Sequence, residues 1–337
     1  MDGERSASPE PSLDTSTAFS RAMAEEVASR VIRAGSNLER MLATGAFVVT
    51  TEIAPPASAD ASEVRRRAAQ YRGIVDACNV TDGQRALVRM SSLAAATIVL
   101  QEGLEPVMQM VSRDRNRIAL QADLLGASAL GIRNVLCLSG DPPSVGNEKD
   151  ARGVFDLTTE EMLGTFRQMR DRSVLRGGET IEQPPKVFIG AAADPFRGTR
   201  EDSFGNLRGK VTAGADFVQT QAVYDVDAFE EWMRLVRKEW LHEKVYILAG
   251  VMPLKSAKMA RFLVEKIGAV VPRHVVDRME KAPNAPAEGK SIAVRTIKAL
   301  KTIEGVRGVH IMPVGWEDIV PDLAKEAGLY PRPASNA

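Results

Sequence analysis

Residues 216–251 read DFVQTQAVYDVDAFEEWMRLVRKEWLHEKVYILAGV. The stretch opens with an apolar segment, DFVQTQAV (216–223), and closes with a second one, KVYILAGV (244–251). Short, nearly continuous apolar runs are typical of parallel strands that are buried on both faces. The amphipathic segment between them, DVDAFEEWMRLVRKEW (225–240), predicts a helix. The stretch therefore predicts a strand–helix–strand unit.

The same alternation extends from residue 47 to residue 314. Eight strand–helix units over roughly 250 residues are the signature of a TIM (β/α)8 barrel, an α/β fold. The alternative is a doubly wound open sheet, but no G-x-G-x-x-G follows any apolar run and the spacing of the runs stays regular. The runs are FVVTTEI (47–53), GIVDACNVT (73–81), EPVMQMV (105–111), NVLCLSG (134–140), KVFIGAAA (186–193), DFVQTQAV (216–223), KVYILAGV (244–251) and GVHIMPV (308–314).

We expect one barrel over residues 45–330. The longest interval between strand candidates, 252–307, contains two helical patterns, around 275–281 and 291–303. The segment APNAPAEG (282–289) is expected to separate them because it is rich in proline and glycine. These patterns are interpreted as the seventh barrel helix and one extra helix, so no second domain is predicted.

The residues before the barrel show two different patterns. Residues 1–18 are rich in Ser, Pro, Asp and Glu and lack apolar periodicity, which predicts a disordered tail. Apolar residues then recur at spacings of three or four, which predicts an N-terminal helical extension over residues 19–44.

The composition excludes several classes of function. The 337 residues carry 44 Lys and Arg against 44 Asp and Glu, and this neutral balance argues against a nucleic-acid partner. Two cysteines cannot form a disulfide framework or a four-thiolate zinc site, and no metal site is expected. The sequence contains no bilayer-length apolar run and does not begin as a secretory signal. We therefore expect a cytoplasmic protein that acts on a small molecule.

Barrel enzymes carry their active sites at the carboxyl ends of the strands, which selects Glu52 as the first candidate. A carboxylate in VVTTEIAPP would lie partly desolvated at the barrel mouth and could act as a general acid. The alternative is a structural carboxylate that pairs with a barrel Arg or Lys such as Arg89. The sequence favours neither interpretation over the other.

Gln219 and Gln221 are two residues apart on the sixth predicted strand, so their side chains are expected to share one face. Amides there could bind the edge of a planar ligand, or could bond to neighbouring backbone. Asp141 follows a Ser-Gly turn and precedes two prolines. No helical pattern begins before about residue 158, which favours a ligand-binding role for Asp141 over helix capping.

Two more features are interpreted as structural. The basic cluster Arg113–Arg117 is expected to form the solvated face of a helix. His310 lies in the eighth predicted strand and is expected to be a core residue with a hydrogen-bond partner.

Five segments in chain order resemble the catalytic barrel of the methylenetetrahydrofolate reductases, over roughly residues 45–315. These flavoenzymes convert 5,10-methylenetetrahydrofolate to 5-methyltetrahydrofolate. No single segment is specific, but the combination is. The segments are TTEIAPP (50–56), NVTDG (79–83), GIRNVLCLSGDPP (131–143), NLRGKVTAGADFVQTQAVYDVDAF (206–229) and AGVMP (249–253).

The resemblance implies a bacterial-type chain with FAD as cofactor, NADH or NADPH as co-substrate, a tetrahydrofolate substrate and a homo-oligomeric state. Glu52 matches the family's general acid, and Asp141 matches an aspartate near the flavin and the pterin. Gln221, with Gln219 beside it, matches the glutamine that contacts folate and the nicotinamide in turn. Flavin-site positions correspond to Thr81, Gln109, Ser139, Gly140, Asp141, Ala192, Asn206 and Lys210.

The chain also departs from the family pattern. Family members often carry Arg at the position of Ser139, His at that of Gln109 and aromatic residues at those of Ala222 and Val223. These departures leave an alternative function open, in which the barrel passes hydride directly from NAD(P)H to folate without flavin. A non-catalytic folate-binding subunit and a different barrel lyase or methyltransferase are also compatible with the sequence.

Overall fold

A closed barrel of eight parallel strands forms the centre of the protein. It is seen in a computed structural model that describes residues 31–333. Each strand pairs with the next, and the eighth pairs with the first, so the predicted TIM barrel is confirmed. The strands are β1 Val48–Ile53, β2 Ala77–Val80, β3 Pro106–Val111, β4 Asn134–Leu138, β5 Phe188–Ala193, β6 Phe217–Ala222, β7 Tyr246–Val251 and β8 Val306–Ile311.

Helices surround the strands, and many begin at a side chain that caps their first turn. Thr158 and Thr199 each form a capping box with the acidic residue three positions later, which satisfies two free amides per helix. The helices are α1 Asn37–Ala43, α2 Ser62–Tyr71, α3 Ser92–Gln101, α4 Arg117–Ala129, α5 Thr159–Arg172, α6 Arg200–Ala213, α7 Val226–Lys238, α8 Ala257–Phe262, α9 Arg273–Lys281, α10 Ala285–Leu300 and α11 Val320–Glu326. None of the described helices is long and apolar enough to cross a membrane.

The N-terminal helical extension is described only over α1, because residues 1–30 lie outside the described part of the chain. The predicted tail 1–18 and residues 19–30 of the predicted helix 19–44 therefore fall on residues that are not described. Residues 31–36 are not helical, and Ser36 caps α1, so the predicted helix is wrong over that segment. Leu38, Met41 and Leu42 on α1 are buried in one cluster with Val48 and Leu248 from the barrel strands. The apolar face of α1 thus packs against the apolar side chains of the barrel.

The segment between β7 and β8 differs from the prediction in two ways. A helix that the sequence pattern did not predict, α8, follows β7 and continues into a π-helical turn over Leu263–Ile267. The expected separator 282–289 is not a loop throughout, because α10 already begins at Ala285. Asn284 caps this helix and proline stands in its first turn, where its missing N–H costs nothing.

One glycine is required by the packing inside the barrel. Phe188 and Phe217 stack with their ring centroids 5.0 Å apart. A Cβ atom on Gly190 would lie 2.3 Å from the Phe217 ring, so β5 must carry glycine there. Bulky apolar side chains fill this part of the barrel, and polar side chains take over toward the carboxyl ends of the strands.

Candidate active site

A cavity of about 440 Å³ opens at the carboxyl ends of the strands, where the fold predicts an active site. Nine of the predicted site residues line it, and they come from six different strands or the loops that follow them. These residues are Glu52, Thr81, Gln109, Ser139, Gly140, Asp141, Ala192, Gln219 and Gln221.

Glu52 lies near the end of β1 with its side chain 11% exposed. Among the described residues, no group donates a hydrogen bond to its carboxylate, and the predicted alternative of an ion pair with Arg89 is not formed. An ionisable neighbour is His310, whose Nε2 atom lies 3.8 Å from Glu52 Oε2. A nearly buried carboxylate without a hydrogen-bond donor is costly, and a ligand that supplies one would relieve that cost.

Below Glu52, a layer of polar side chains crosses the barrel. The amides of Asn79 and Gln219 face each other and form two hydrogen bonds, of 2.6 Å and 3.0 Å. Gln219 Nε2 also donates to Thr50 Oγ1 over 3.2 Å, and Thr50 Oγ1 lies 3.0 Å from His310 Nδ1. Gln219 therefore lines the cavity with an amide that is bonded to side chains rather than to backbone.

Gln221 stands on the exposed rim of the cavity, at an irregularity of β6. The pairing of β6 with β7 shifts register between Gln219 and Ala222. Thr220 accepts a hydrogen bond from Gly250 N at 2.9 Å and donates one to Gln221 O at 2.8 Å, which closes the irregularity. A Cβ atom on Gly250 would lie 2.3 Å from Thr220 O, so glycine in β7 is needed here.

The loop after β4 carries Asp141 on the exposed side of the cavity. Its carboxylate accepts a hydrogen bond from Arg85 N over 2.9 Å, so the side chain binds the loop after β2 and caps no helix of its own. Ser139 lies on the same loop, and its hydroxyl is 3.0 Å from that of Thr159 at the start of α5.

The prediction that Arg113–Arg117 form a solvated helix face is wrong for two of its arginines. Arg113 is 4% exposed and lines the cavity, and α4 begins only at Arg117. Arg115 forms an ion pair of 2.6 Å with Asp82, another cavity residue. Both arginines follow directly after β3, so the rule that selected Glu52 could also have selected them.

His310 has the hydrogen-bond partner that was predicted for it, but it is also part of the cavity wall. Its place in the cavity wall depends on the neighbouring strand β1. Thr50 lies opposite His310 in the register of β1 and β8, and Glu52, two residues further along β1, lies beside the imidazole. A single histidine in a predicted strand does not by itself indicate a cavity residue.

Asn206 and Lys210 do not line the cavity but lie behind its wall residue Ala192. Lys210 Nζ donates to Ala192 O over 2.7 Å and to Asn206 Oδ1 over 2.6 Å, one turn earlier on α6. Burial lowers the pKa of Lys210, and Arg197 acts in the same direction, whereas Glu160 and Asp194 oppose the shift. Because both hydrogen-bond acceptors are neutral, the ammonium charge has no carboxylate in contact among the described residues.

A second chamber of about 480 Å³ adjoins the cavity and shares Arg197 and Gln221 with it. Its walls are mostly apolar. They include Phe196, Tyr224, Met252, Leu263, Ile267 and Val270. Within residues 31–333 we find no group of three or more His, Cys, Asp or Glu side chains placed to bind a metal ion.

Known proteins resemble this chain in sequence and in fold. A probable methylenetetrahydrofolate reductase (NADPH) of Caenorhabditis elegans is 24% identical over 256 residues, which cover 72% of this chain and 35% of that protein. A 5,10-methylenetetrahydrofolate reductase of Pectobacterium carotovorum subsp. carotovorum is 22% identical over 239 residues, which cover 70% of this chain and 74% of that protein. The match spans about a third of the length of the eukaryotic relatives.

A solved structure with the same fold is an uncharacterised protein from Clostridium thermocellum that binds two copies of 5-methyl-5,6,7,8-tetrahydrofolic acid. The TM-score is 0.61 at 14% identity, over 87% of this chain and 98% of that chain. A family model described as methylenetetrahydrofolate reductase matches residues 37–328. That range contains all eight strands and the cavity between their ends, so the chain belongs to the methylenetetrahydrofolate reductase family.

Proposed function

We propose that this protein reduces 5,10-methylenetetrahydrofolate to 5-methyltetrahydrofolate with NADH or NADPH, or catalyses the reverse reaction. The observation that carries the proposal is the Glu52 carboxylate, which is nearly buried at the cavity mouth and bonded to no donor in residues 31–333. Family membership supports the reaction, and a protein of the same fold that binds 5-methyltetrahydrofolate supports the class of substrate.

Glu52 is proposed as the general acid. Reduction of the one-carbon bridge needs a proton on the ring nitrogen that leaves as the imidazolidine opens, and a hydride on the carbon. A protonated carboxyl group at the mouth of the cavity can donate that proton directly. Proton transfer from a well-placed group is worth about 10²–10⁴ in rate.

Asp141 and Gln221 are proposed to bind and orient the folate. Both stand on the exposed side of the cavity, where a planar ligand would enter. The Asp141 carboxylate would stabilise the positive charge that develops as the ring opens, because a fixed opposite charge lowers the energy of a charged transition state. The Gln221 amide can both donate to and accept from the edge of a pterin or a carboxamide.

The second chamber is proposed to hold the rest of the folate. Its apolar walls fit the aminobenzoyl ring.

The residues near Lys210 fit a flavin cofactor. A half-buried ammonium group that is bonded to neutral oxygens can bind an anionic phosphate, and Asn206 beside it adds a polar amide. Lys210 and Asn206, behind the wall residue Ala192, would hold the phosphate and ribityl portions of the cofactor. Thr81 and Gly140 line the cavity itself and would contact its ring. When bound, a flavin supplies hydride transfer between the nicotinamide and the folate.

Turnover of the full chain under anaerobic conditions tests the proposal. Purified protein is mixed with 5,10-methylenetetrahydrofolate and NADH or NADPH, and 5-methyltetrahydrofolate is detected by mass spectrometry. Formation of that product in step with oxidation of the nicotinamide is the expected result. Tight folate binding without nicotinamide oxidation would contradict it and would favour a folate-binding subunit. The visible absorbance spectrum of the purified protein separates flavin-dependent from direct hydride transfer.

A further inference from the structure

Arg113 bridges the two loops that border the cavity on the side of Asp141. Its Nη1 atom donates to Gly83 O in the loop after β2, over 3.2 Å, and to Asp141 O in the loop after β4, over 3.3 Å. Asp114 holds the other side of the guanidinium with two hydrogen bonds, of 2.8 Å and 2.6 Å. Four of its five N–H donors are thereby used, and the side chain is buried.

The same two loops make further contacts with each other. Arg85 N donates to the Asp141 carboxylate over 2.9 Å, and Val88 N donates to Asn147 Oδ1 over 3.0 Å. A Cβ atom on Gly146 would lie 1.9 Å from a backbone oxygen of the facing loop, so the two loops approach each other too closely for any side chain at this position. The position of Asp141 above the cavity therefore depends on a junction between loops rather than on a strand or a helix.

Arg113 contacts both loops of this junction while it is itself buried beneath them. A Cβ atom on Gly83 would lie 2.7 Å from Arg113 Nη2, so glycine is needed where the guanidinium passes under the first loop. A lysine in place of Arg113 would offer a single ammonium point instead of a planar fork.

We propose that Arg113 is the positioning residue for Asp141: it fixes the loops after β2 and β4 against each other and so sets where the Asp141 carboxylate stands over the cavity. The expected effect of Arg113 on kcat rests on the proposed function, whereas its expected effect on the stability of the two loops does not. Arg113 acts through the carbonyl of Asp141 and does not itself need to touch the substrate.

A double-mutant cycle tests the kinetic consequence. Arg113→Met should lower kcat for folate reduction by roughly 100-fold, the effect expected when a catalytic group is displaced by about 1 Å. Adding Arg113→Met to Asp141→Asn should lower kcat little beyond Asp141→Asn alone, because both changes remove the same contribution. Arg113→Lys should restore part of the rate. If the two losses multiply instead, Arg113 acts independently of Asp141 and the proposal is overturned.

Hydrogen–deuterium exchange of the full chain tests the mechanical consequence without any turnover. Arg113→Met should speed exchange in residues 83–88 and 139–147 together and leave the strands unchanged. Asp114→Asn, at an exposed position, should do the same more weakly by loosening the guanidinium. Arg117→Met removes an exposed arginine–aspartate pair with Asp156 in the same segment and serves as the control. Unchanged exchange in the two loops of the Arg113→Met protein would overturn the proposal, even if wild-type turnover were absent.

Discussion

His310 Nε2 lies 3.8 Å from Glu52 Oε2, while Nδ1 of the same imidazole ring lies 3.0 Å from Thr50 Oγ1. The ring is therefore anchored on one side and faces the carboxylate on the other. The distance to Glu52 is within the range of an ion pair but beyond that of a hydrogen bond. Glu52 thus has a polar neighbour and still keeps its oxygens available for a ligand.

Replacing Glu52 tests its role as the acid. Glu52→Gln keeps the size of the side chain but removes the transferable proton, so folate reduction should fall by about 10²–10⁴. Reduction of bound flavin by NAD(P)H should continue, because that half of the reaction needs no acid at the folate nitrogen. Anaerobic stopped-flow measurements separate the two halves.

Glu182→Gln changes an exposed carboxylate outside the cavity and should behave as the wild type. A Glu52→Gln protein that still turns over folate at the wild-type rate would show that another group donates the proton.

The two glutamines of β6 should respond differently to the same substitution. Gln219→Leu leaves the buried amide of Asn79 without a side-chain partner, so unfolding should become easier by about 1–3 kcal/mol. Gln221 lies on the exposed rim, so Gln221→Leu should change the free energy of unfolding by less than about 0.5 kcal/mol. The same substitution should weaken folate binding. Urea unfolding midpoints and folate titrations measure both effects. Equal stability changes in the two proteins would contradict this assignment.

Lys210 should determine how well the protein retains flavin. Lys210→Gln keeps a donor for Ala192 O but removes the charge proposed to bind the cofactor phosphate. Loss of a charged hydrogen bond is worth about 1.5–3 kcal/mol, so the flavin dissociation constant should rise by about ten- to a hundredfold. Absorbance of the protein after gel filtration measures the retained flavin, with exposed Lys238→Gln as the control. Undiminished flavin in Lys210→Gln would place the phosphate elsewhere.

The same lysine predicts a pH dependence of stability. Burial lowers the pKa of Lys210 below its ordinary value of 10.5, so the folded protein disfavours the charged form relative to the unfolded chain. This destabilisation is present below the lowered pKa and disappears as the pH rises through it toward 10.5. The stability of the wild type relative to Lys210→Gln should therefore increase from about pH 7 to about pH 10. A urea-midpoint difference that stays constant over this range would contradict the expected shift.

The strands could be predicted from the sequence because their signal is local. A parallel strand covered on both faces must be apolar along its whole length, and all eight apolar runs became strands. The same pattern was less informative between β7 and β8. There α8 has only six residues, too few for periodicity to mark it, and Asn284 starts α10 inside a segment whose prolines suggested a loop.

The cavity residues could be predicted as a group because they follow strand ends, and a barrel brings all strand ends to one face. The partners of each residue could not be predicted in this way. Arg113 resembles part of a solvated basic run until the loops after β2 and β4 cover it, and His310 resembles a core residue until β1 places Thr50 and Glu52 beside it.

The sequence by itself determined the barrel and nine of the residues at its mouth, since periodicity and strand-end position are properties of neighbouring residues along the chain. The resemblance of five short segments indicated the family. Only the tertiary structure decided that Gln219 is bonded to Asn79 and Thr50 while Gln221 stands exposed on the cavity rim, and that Arg113 lies beneath Asp141. Those contacts join residues from separate strands and loops. Which donors and acceptors meet there depends on the register of a closed barrel, and no local pattern records that register.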